Sequence, residues 1–215
     1  MTGARLVVRT RHVVGAPVAA VRVWFPAGAR AEGRPGLGML TGRMLAEGTA
    51  KRDFRAIASA AEDRGASIHP FGGFEVYGLS IDALAGDWER ALGWAAELVL
   101  ESSFPVERAA WTAKQMESEL ESLGDEPETL TNWAFLDQLY APHPRRLPAI
   151  GTLDSLRQLS AEHCQKHHER GLAAGAIVTV AGTIDEDAVA ARARELFADL
   201  EGHASPLSEP PAPAR

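Results

Sequence analysis

Three histidines lie close together in this sequence, His163, His167 and His168, and imidazoles at short spacing could hold a metal. His163 and His167 are four residues apart, which would place both on one face of a helix. No glutamate lies between them, whereas Lys166 does, and its ammonium disfavours a cation at that point. We therefore interpret the three histidines as an ordinary helix surface and keep a metal site as the minor alternative.

A second group of side chains lies on a helix that the periodicity predicts over 37–47. Its apolar stripe contains Leu37, Leu40, Met44 and Leu45, and its opposite side carries Met39, Gly42 and Arg43. Positions 39 and 43 are neighbours, because they are separated by about one helical turn. Helix geometry alone favours a solvent-exposed face here, with a face that lines a cleft as the alternative.

Glu119 is the carboxylate that could act together with this face. It lies on a helix predicted over 106–123, at the border of the apolar stripe beside Met116 and Leu120, whereas Glu117 and Glu121 are predicted to point away. A border carboxylate is ordinarily a solvated residue. Between positions 43 and 119 there are 75 residues.

The surrounding elements predict an α+β fold. Alternation over 18–25 indicates a strand with Ala20, Arg22 and Trp24 on one face, and the N-terminus and 176–181 also read as strands. Strands at 66–71 and 74–81 are predicted to meet at Gly72-Gly73, and Pro70 indicates an edge position or a bulge. Helices are predicted at 53–64, 88–99, 128–140, 161–170 and 186–200, with a loop over 141–152. The order of these strands and helices along the chain favours a two-layer domain in which a mostly antiparallel mixed sheet packs against long helices.

The stretch 36–49 resembles the zinc helix of the insulinase/pitrilysin-type peptidases. That helix reads His-x-x-Glu-His, then two apolar residues, then Gly-Thr two positions further on, which matches Gly48-Thr49 here. Met39 and Arg43 stand at the two histidine positions, and Gly42 stands at the glutamate position. Weaker matches to other segments of the same family occur in the expected chain order at 27–30, 65–69, 151–152 and 178–182.

The resemblance implies a metallopeptidase-like fold of the insulinase type with its zinc ligands replaced. In active members two histidines and one more distant glutamate hold zinc, and the glutamate between the histidines activates water. Glu119 matches the distant glutamate, and an acidic-Pro segment follows it at 125–127, as in the family. We therefore expect no metal, no cofactor and no peptidase activity from this chain. We also expect an Arg43–Glu119 ion pair, because an unpaired carboxylate in a cleft is costly.

The resemblance also implies a peptide-binding edge strand after the second helix. In active members this strand pairs with an extended peptide. The corresponding residues here are Ala66, Ser67, Ile68, His69, Pro70 and Phe71, and the pair His69-Pro70 departs from the small polar residues usual in the family.

Composition narrows the function classes further. The 215 residues include 22 Lys and Arg against 29 Asp and Glu, which gives a net charge of -7 and argues against nucleic-acid or anionic-membrane partners. The apolar runs are too short to span a bilayer. Cys164 is the only cysteine, so no internal disulfide can form. Its apolar position on a predicted helix indicates a core residue. We expect a cytoplasmic protein.

Two segments and three functions are predicted. Residues 1–203 are expected to form the insulinase-like N-terminal-type domain, and 204–215 a Pro-rich linker or tail. The preferred hypothesis is a catalytically inactive subunit that binds peptide substrate and supports an active, zinc-bearing insulinase-type partner, as in processing-peptidase-like heteromers. A second homologous domain after the linker is the other expected partner. The alternatives are a purely structural scaffold subunit and an active zinc peptidase with a relocated site.

Overall fold

A five-stranded sheet forms one layer of the domain. The computed structural model describes residues 6–200, so the predicted boundary at 203 and the predicted linker or tail at 204–215 lie outside the described residues. The strands are β1 (Leu6–His12), β2 (Val18–Phe25), β3 (Ser67–Gly72), β4 (Tyr77–Leu84) and β5 (Ala176–Gly182). Their order is β1-β5-β2-β4-β3. Only the β1–β5 pairing is parallel, which confirms the predicted mostly antiparallel mixed sheet.

Helices form the second layer. They are α1 (Leu37–Met44), α2 (Phe54–Glu62), α3 (Trp88–Leu100), α4 (Val106–Gly124), α5 (Pro127–Tyr140), α6 (Leu153–Leu156), α7 (Ala161–Ala174) and α8 (Glu186–Leu196). Within residues 6–200 no helix combines the length and the apolar character needed to span a membrane.

The core lies on one face of the sheet. Alternate strand residues such as Val21, Val23, Leu79 and Val178 are fully buried there, packed against apolar residues of the helices. The intervening residues point to the opposite face, which we call the open face. Helices α1 and α2 contact β3, and residues of β2 on the open face, Ala20, Arg22 and Trp24, are only partly buried.

Several predicted boundaries shift in the structure. Helix α1 ends at Met44 rather than near 47, and α8 ends at Leu196 and is followed by a 3-10 turn at Ala198–Leu200. The predicted loop at 141–152 contains a 3-10 turn at Pro144–Arg146. The short helix α6 is an additional element, and it begins with a capping box at Thr152.

The β3–β4 turn lies two residues beyond the predicted Gly72-Gly73 position. Gly73 N donates to Val76 O (2.8 Å), so the turn residues are Phe74 and Glu75. The backbone N–H groups of 28–30 donate to the carbonyls of 73–75, which fixes the turn from outside the hairpin. A Cβ on Gly28 would lie 2.6 Å from the turn backbone, so a glycine is required for this contact.

Candidate functional site

Helix α1 is fixed at its N-terminus by a glycine and a carboxylate. Gly36 adopts the left-handed conformation (φ 84°) that starts the helix. Glu32 accepts hydrogen bonds from Gly36 N (2.8 Å) and Gly38 N (2.7 Å), which satisfies two of the otherwise unpaired N–H groups there. Burial raises the pKa of Glu32 to about 7 despite these two N–H donors. The direction of α1 is therefore set before the residues of interest begin.

Two glycines bring α1 into direct backbone contact with the end of β3. A Cβ on Gly42 would lie 2.1 Å from Phe71 O, and a Cβ on Gly72 would lie 2.3 Å from the Met39 Cα. Real Cβ atoms do not approach backbone this closely, so neither position accepts a side chain in this arrangement. The space that a glutamate at position 42 would need is occupied by the β3 backbone.

Arg43 and Glu119 form the predicted ion pair. Arg43 Nη2 lies 2.8 Å from Glu119 Oε2, and Arg43 Nη2 also lies 3.5 Å from Met39 Sδ. The side chains are 29% and 45% exposed respectively, so the pair is at a groove wall rather than in the core. The contact across 75 intervening residues brings together the residues that the sequence predicted to be neighbours.

A groove of about 540 Å³ surrounds this pair between α1, β3 and α4. Besides the ion pair, its lining includes Pro70, Trp111, Thr112 and Gln115. Trp111 is half exposed, and the Arg108 guanidinium lies 4.3 Å from the centre of its ring. The hydroxyl of Thr112 is buried and has no hydrogen-bond partner within residues 6–200. The groove is polar at its floor and aromatic at its rim.

The residues of this groove do not fit a zinc ion. Arg43 places a guanidinium where a ligand would be needed, and the carboxylate of Glu119 is already paired with it. In the described part of the chain, no three His, Cys, Asp or Glu side chains are grouped so that they could hold a metal. Positions 39–43 therefore supply neither a histidine that could bind zinc nor a carboxylate that could act as a general base.

We expect loss of the Arg43–Glu119 pair to change stability little. Glu119→Gln should lower the free energy of unfolding by less than ~1 kcal/mol, because exposed ion pairs contribute about that much or less. Urea denaturation measures it. Glu97→Gln is the matched control, because Arg52 donates to both oxygens of Glu97 (2.9 and 2.6 Å) and this pair is less exposed. A larger loss for Glu119→Gln than for Glu97→Gln would contradict the expectation.

Glu117 corrects one prediction for α4. It was expected to point away from the apolar stripe, but it is only 8% exposed. Its carboxylate lies 3.3 Å from Lys114 Nζ and 3.5 Å from Arg157 Nε. Helix α6 packs against α4 and covers the side of α4 that the local pattern treats as solvent-facing.

The interpretation of the three histidines as an ordinary helix surface is wrong for two of them. His167 and His168 are 1% and 4% exposed, whereas His163 is half-buried. His168 Nε2 donates to Val99 O (2.6 Å), so its Nδ1 accepts from the Tyr77 hydroxyl (2.9 Å). His167 Nε2 donates to Ala27 O (2.7 Å). The pair joins α7 to the sheet and to α3 as neutral imidazoles.

Cys164 lies in the core, as predicted. It is fully buried, and burial raises the pKa of its thiol to about 12. A thiol with such a pKa carries almost no thiolate at neutral pH and is a poor nucleophile.

Strand β3 is an edge strand, as Pro70 indicated, although Ala66 of the predicted segment precedes it and is buried. The Gly73–Val76 hydrogen bond fixes which pairs of β3 and β4 are hydrogen-bonded, because such pairs alternate along antiparallel strands. By this alternation Ile68, Pro70 and Gly72 direct their backbone groups away from β4. Pro70 lacks an N–H, so the free edge offers three carbonyls but two N–H donors.

Sequence patterns did not point to three residues that shape the site. Glu32 holds the start of α1, Arg108 lies against the rim, and Thr112 supplies the unpaired hydroxyl. Glu32 stands four residues before a glycine at the helix start, and that spacing is the one signal that could have identified it. Arg108 and Thr112 lie on α4 about three and two turns before Glu119, but nothing in their own spacing marks them.

Comparison with known proteins places the fold and the family. The family described as Insulinase (Peptidase family M16) matches residues 7–152. An uncharacterized zinc protease of Mycobacterium leprae is 29% identical over 191 residues, 87% of this chain and 43% of that protein. A probable mitochondrial-processing peptidase subunit beta of Arabidopsis thaliana is 24% identical over 94% of this chain and 39% of its own length. The chain thus spans less than half the length of these relatives.

Solved structures share the whole fold. A peptidase M16 inactive domain from Pseudomonas fluorescens superposes with a TM-score of 0.84 at 24% identity, over 100% of this chain and 54% of that one. A protease from Helicobacter pylori gives a TM-score of 0.85 at 16% identity, over 99% of this chain and 54% of that one. These identities establish the fold alone, whereas the family match covers most of the sequence. The chain belongs to the insulinase family, peptidase family M16.

Proposed function

We propose that this chain is a non-catalytic member of the insulinase family that binds peptide and supports an active, zinc-bearing partner. The observation that carries the proposal is the packing of α1 on β3 at Gly42, together with the Arg43–Glu119 pair. Both features occupy space that a zinc ion, its ligands and its base would need. Hydrolysis would have to come from another subunit or domain.

The edge strand supports the binding half of the proposal. The outward backbone groups of Ile68, Pro70 and Gly72 lie beside the groove, since Pro70 belongs to its wall. An extended peptide can pair with such an edge through its main chain and place side chains against the Trp111 rim. The ion pair of Arg43 and Glu119 then contacts peptide where active members cut it.

Co-expression with a family member from the same genome that carries an intact His-x-x-Glu-His tests the proposal. We expect a stable heteromer on size-exclusion chromatography and cleavage of a fluorogenic peptide that requires both chains. The chain alone should cleave nothing. Cleavage by this chain alone, or full activity of the partner without it, would contradict the proposal.

One pair of variants separates backbone docking from side-chain contact. Ile68→Pro removes an outward N–H of β3 and should raise the KM of the heteromer at least about tenfold, the loss expected for about 1.4 kcal/mol of binding. Ile68→Ala removes only the side chain and should leave KM within about threefold. Equal effects of the two variants would mean that β3 does not pair with the peptide; a purely structural subunit would show no effect of either.

A further inference from the structure

The free edge of β3 lacks one hydrogen-bond donor at Pro70. A peptide that pairs antiparallel with this edge exchanges two hydrogen bonds with each outward residue, one through the residue's N–H and one through its C=O. Ile68 and Gly72 supply both groups, whereas Pro70 supplies only its carbonyl. The peptide carbonyl opposite Pro70 therefore receives no hydrogen bond from β3.

A side chain of the groove has to supply this donor. A carbonyl that leaves water without gaining a partner weakens binding by about as much as a lost hydrogen bond. The groove carries four side chains with N–H or O–H donors close to Pro70, which are Arg43, Trp111, Gln115 and Ser118. Arg43 belongs to α1, which packs directly on β3, whereas the other three belong to α4.

The glycine contact between α1 and β3 brings Arg43 next to Pro70. Gly42 packs on Phe71, where an added Cβ would lie 2.1 Å from the carbonyl oxygen. Arg43 and Pro70 are each one residue away from this contact, and both line the groove. This packing places the guanidinium beside the edge position that lacks a donor.

The Arg43 guanidinium retains donors after its contacts within the domain. Its Nη2 lies 2.8 Å from Glu119 Oε2 and 3.5 Å from Met39 Sδ. Within residues 6–200, Nε and Nη1 have neither a hydrogen-bond partner nor an ion-pair partner. Because a guanidinium carries five N–H donors, the contacts at Nη2 orient the group and leave the donors of Nε and Nη1 for a ligand.

Pairing with Glu119 does not by itself account for an arginine at position 43. Both side chains of the pair are partly exposed, and ion pairs at this exposure contribute little to stability. The pair also engages only one nitrogen of a planar group that is suited to several hydrogen bonds at once. A ligand that offers a carbonyl oxygen supplies the missing acceptor.

We propose that Arg43 donates a hydrogen bond to the main-chain carbonyl opposite Pro70 in an extended peptide bound along β3. This inference rests on the proposed function and deepens it by naming the substrate class, an unfolded segment that is recognised through its main chain. Hydrogen bonds from a charged donor are stronger than those from a neutral N–H, so Arg43 compensates for the N–H that Pro70 lacks. Positions 39–43 contain no carboxylate or histidine, so the contact holds the peptide without cutting it.

Fluorescence anisotropy with a labelled peptide of alternating valine and threonine tests the proposal on the purified chain. These β-branched residues favour an extended main chain. Arg43→Met removes every side-chain donor and should weaken binding at least about tenfold. Arg43→Lys keeps a charged donor and should weaken binding less than about threefold. Arg194→Met on the exposed side of α8 is the matched control and should leave the affinity unchanged.

Pro70→Ala restores the missing N–H and gives the sharper test. When it is combined with Arg43→Met, the backbone of residue 70 donates to the peptide carbonyl, so the affinity should return to within about threefold of the wild type. Pro70→Ala alone should not weaken binding. A double variant that binds as weakly as Arg43→Met would show that Arg43 does not replace the N–H, and it would overturn the proposal.

The outcomes also separate this inference from the function on which it rests. Binding by the wild type that Arg43→Met leaves unchanged overturns the role of Arg43 and leaves peptide binding in place. Absence of binding by the wild type overturns both. An equal loss in Arg43→Met and Arg194→Met would show that net charge is responsible, and it would overturn the assignment to position 43. Circular dichroism confirms that each variant is folded.

Discussion

Gly42→Ala is expected to lower the free energy of unfolding by about 1–3 kcal/mol, the usual cost of overpacking. The added methyl group would lie 2.1 Å from Phe71 O, so α1 and β3 must separate to admit it. The loss should appear even though alanine favours helix over glycine by about 1 kcal/mol. Chemical denaturation of the purified variant measures it.

Gly93→Ala on α3 is the matched control for this result. A Cβ at Gly93 meets no atom within 4 Å, so the same substitution should stabilise the domain by up to about 1 kcal/mol. A stabilising effect at both positions would show that α1 has room for a side chain at position 42. A glutamate could then be restored there, and the steric argument against a catalytic base would fail.

Acid should destabilise the domain through His168. Burial lowers the pKa of His168 to about 4, although its hydrogen bond to Val99 O acts in the opposite direction. The unfolded chain has a histidine pKa of about 6.5 and therefore binds the proton more readily between pH 6.5 and 4. Stability contributed by neutral His168 is complete above about pH 6.5 and is lost as pH falls to about 4, a difference of about 3 kcal/mol.

The acid effect is isolated by comparing variants over the same pH range. His168→Gln keeps a donor and an acceptor but does not titrate, so its stability should fall less steeply than that of the wild type. Gln165→Ala on the exposed side of α7 changes no titrating group and should leave the wild-type pH dependence unchanged. Identical slopes for all three proteins in urea denaturation would contradict a neutral, buried His168.

Local sequence patterns predicted the structure correctly where a residue's environment is set by its own strand or helix. Strand β2 begins and ends at the predicted residues, because its alternation is uninterrupted. The Arg43–Glu119 contact followed from spacing in a resembled family, which carries three-dimensional information that local periodicity lacks. The edge position of β3 followed from a single proline.

The remaining features depend on residues distant in the chain. His167 and His168 are buried because Ala27 and Val99 supply carbonyls 140 and 69 residues away. Glu117 is buried because α6 returns over α4 after the loop. Glycine is needed at position 42 only because β3 packs on α1. The sequence shows that position 42 lacks a glutamate, but it does not show that the β3 backbone would clash with any side chain there.

Zinc content is the measurement that decides whether the groove at Arg43 and Glu119 can still bind zinc. The purified chain is dialysed, its zinc is quantified by mass spectrometry, and zinc is then titrated into the wild type and into Glu119→Gln. We predict well under one zinc per chain and indistinguishable titrations for the two proteins. One tightly bound zinc per chain that disappears in Glu119→Gln would show that Glu119 still acts as a zinc ligand. This result would contradict the claim that Arg43 pairs with Glu119 in place of zinc.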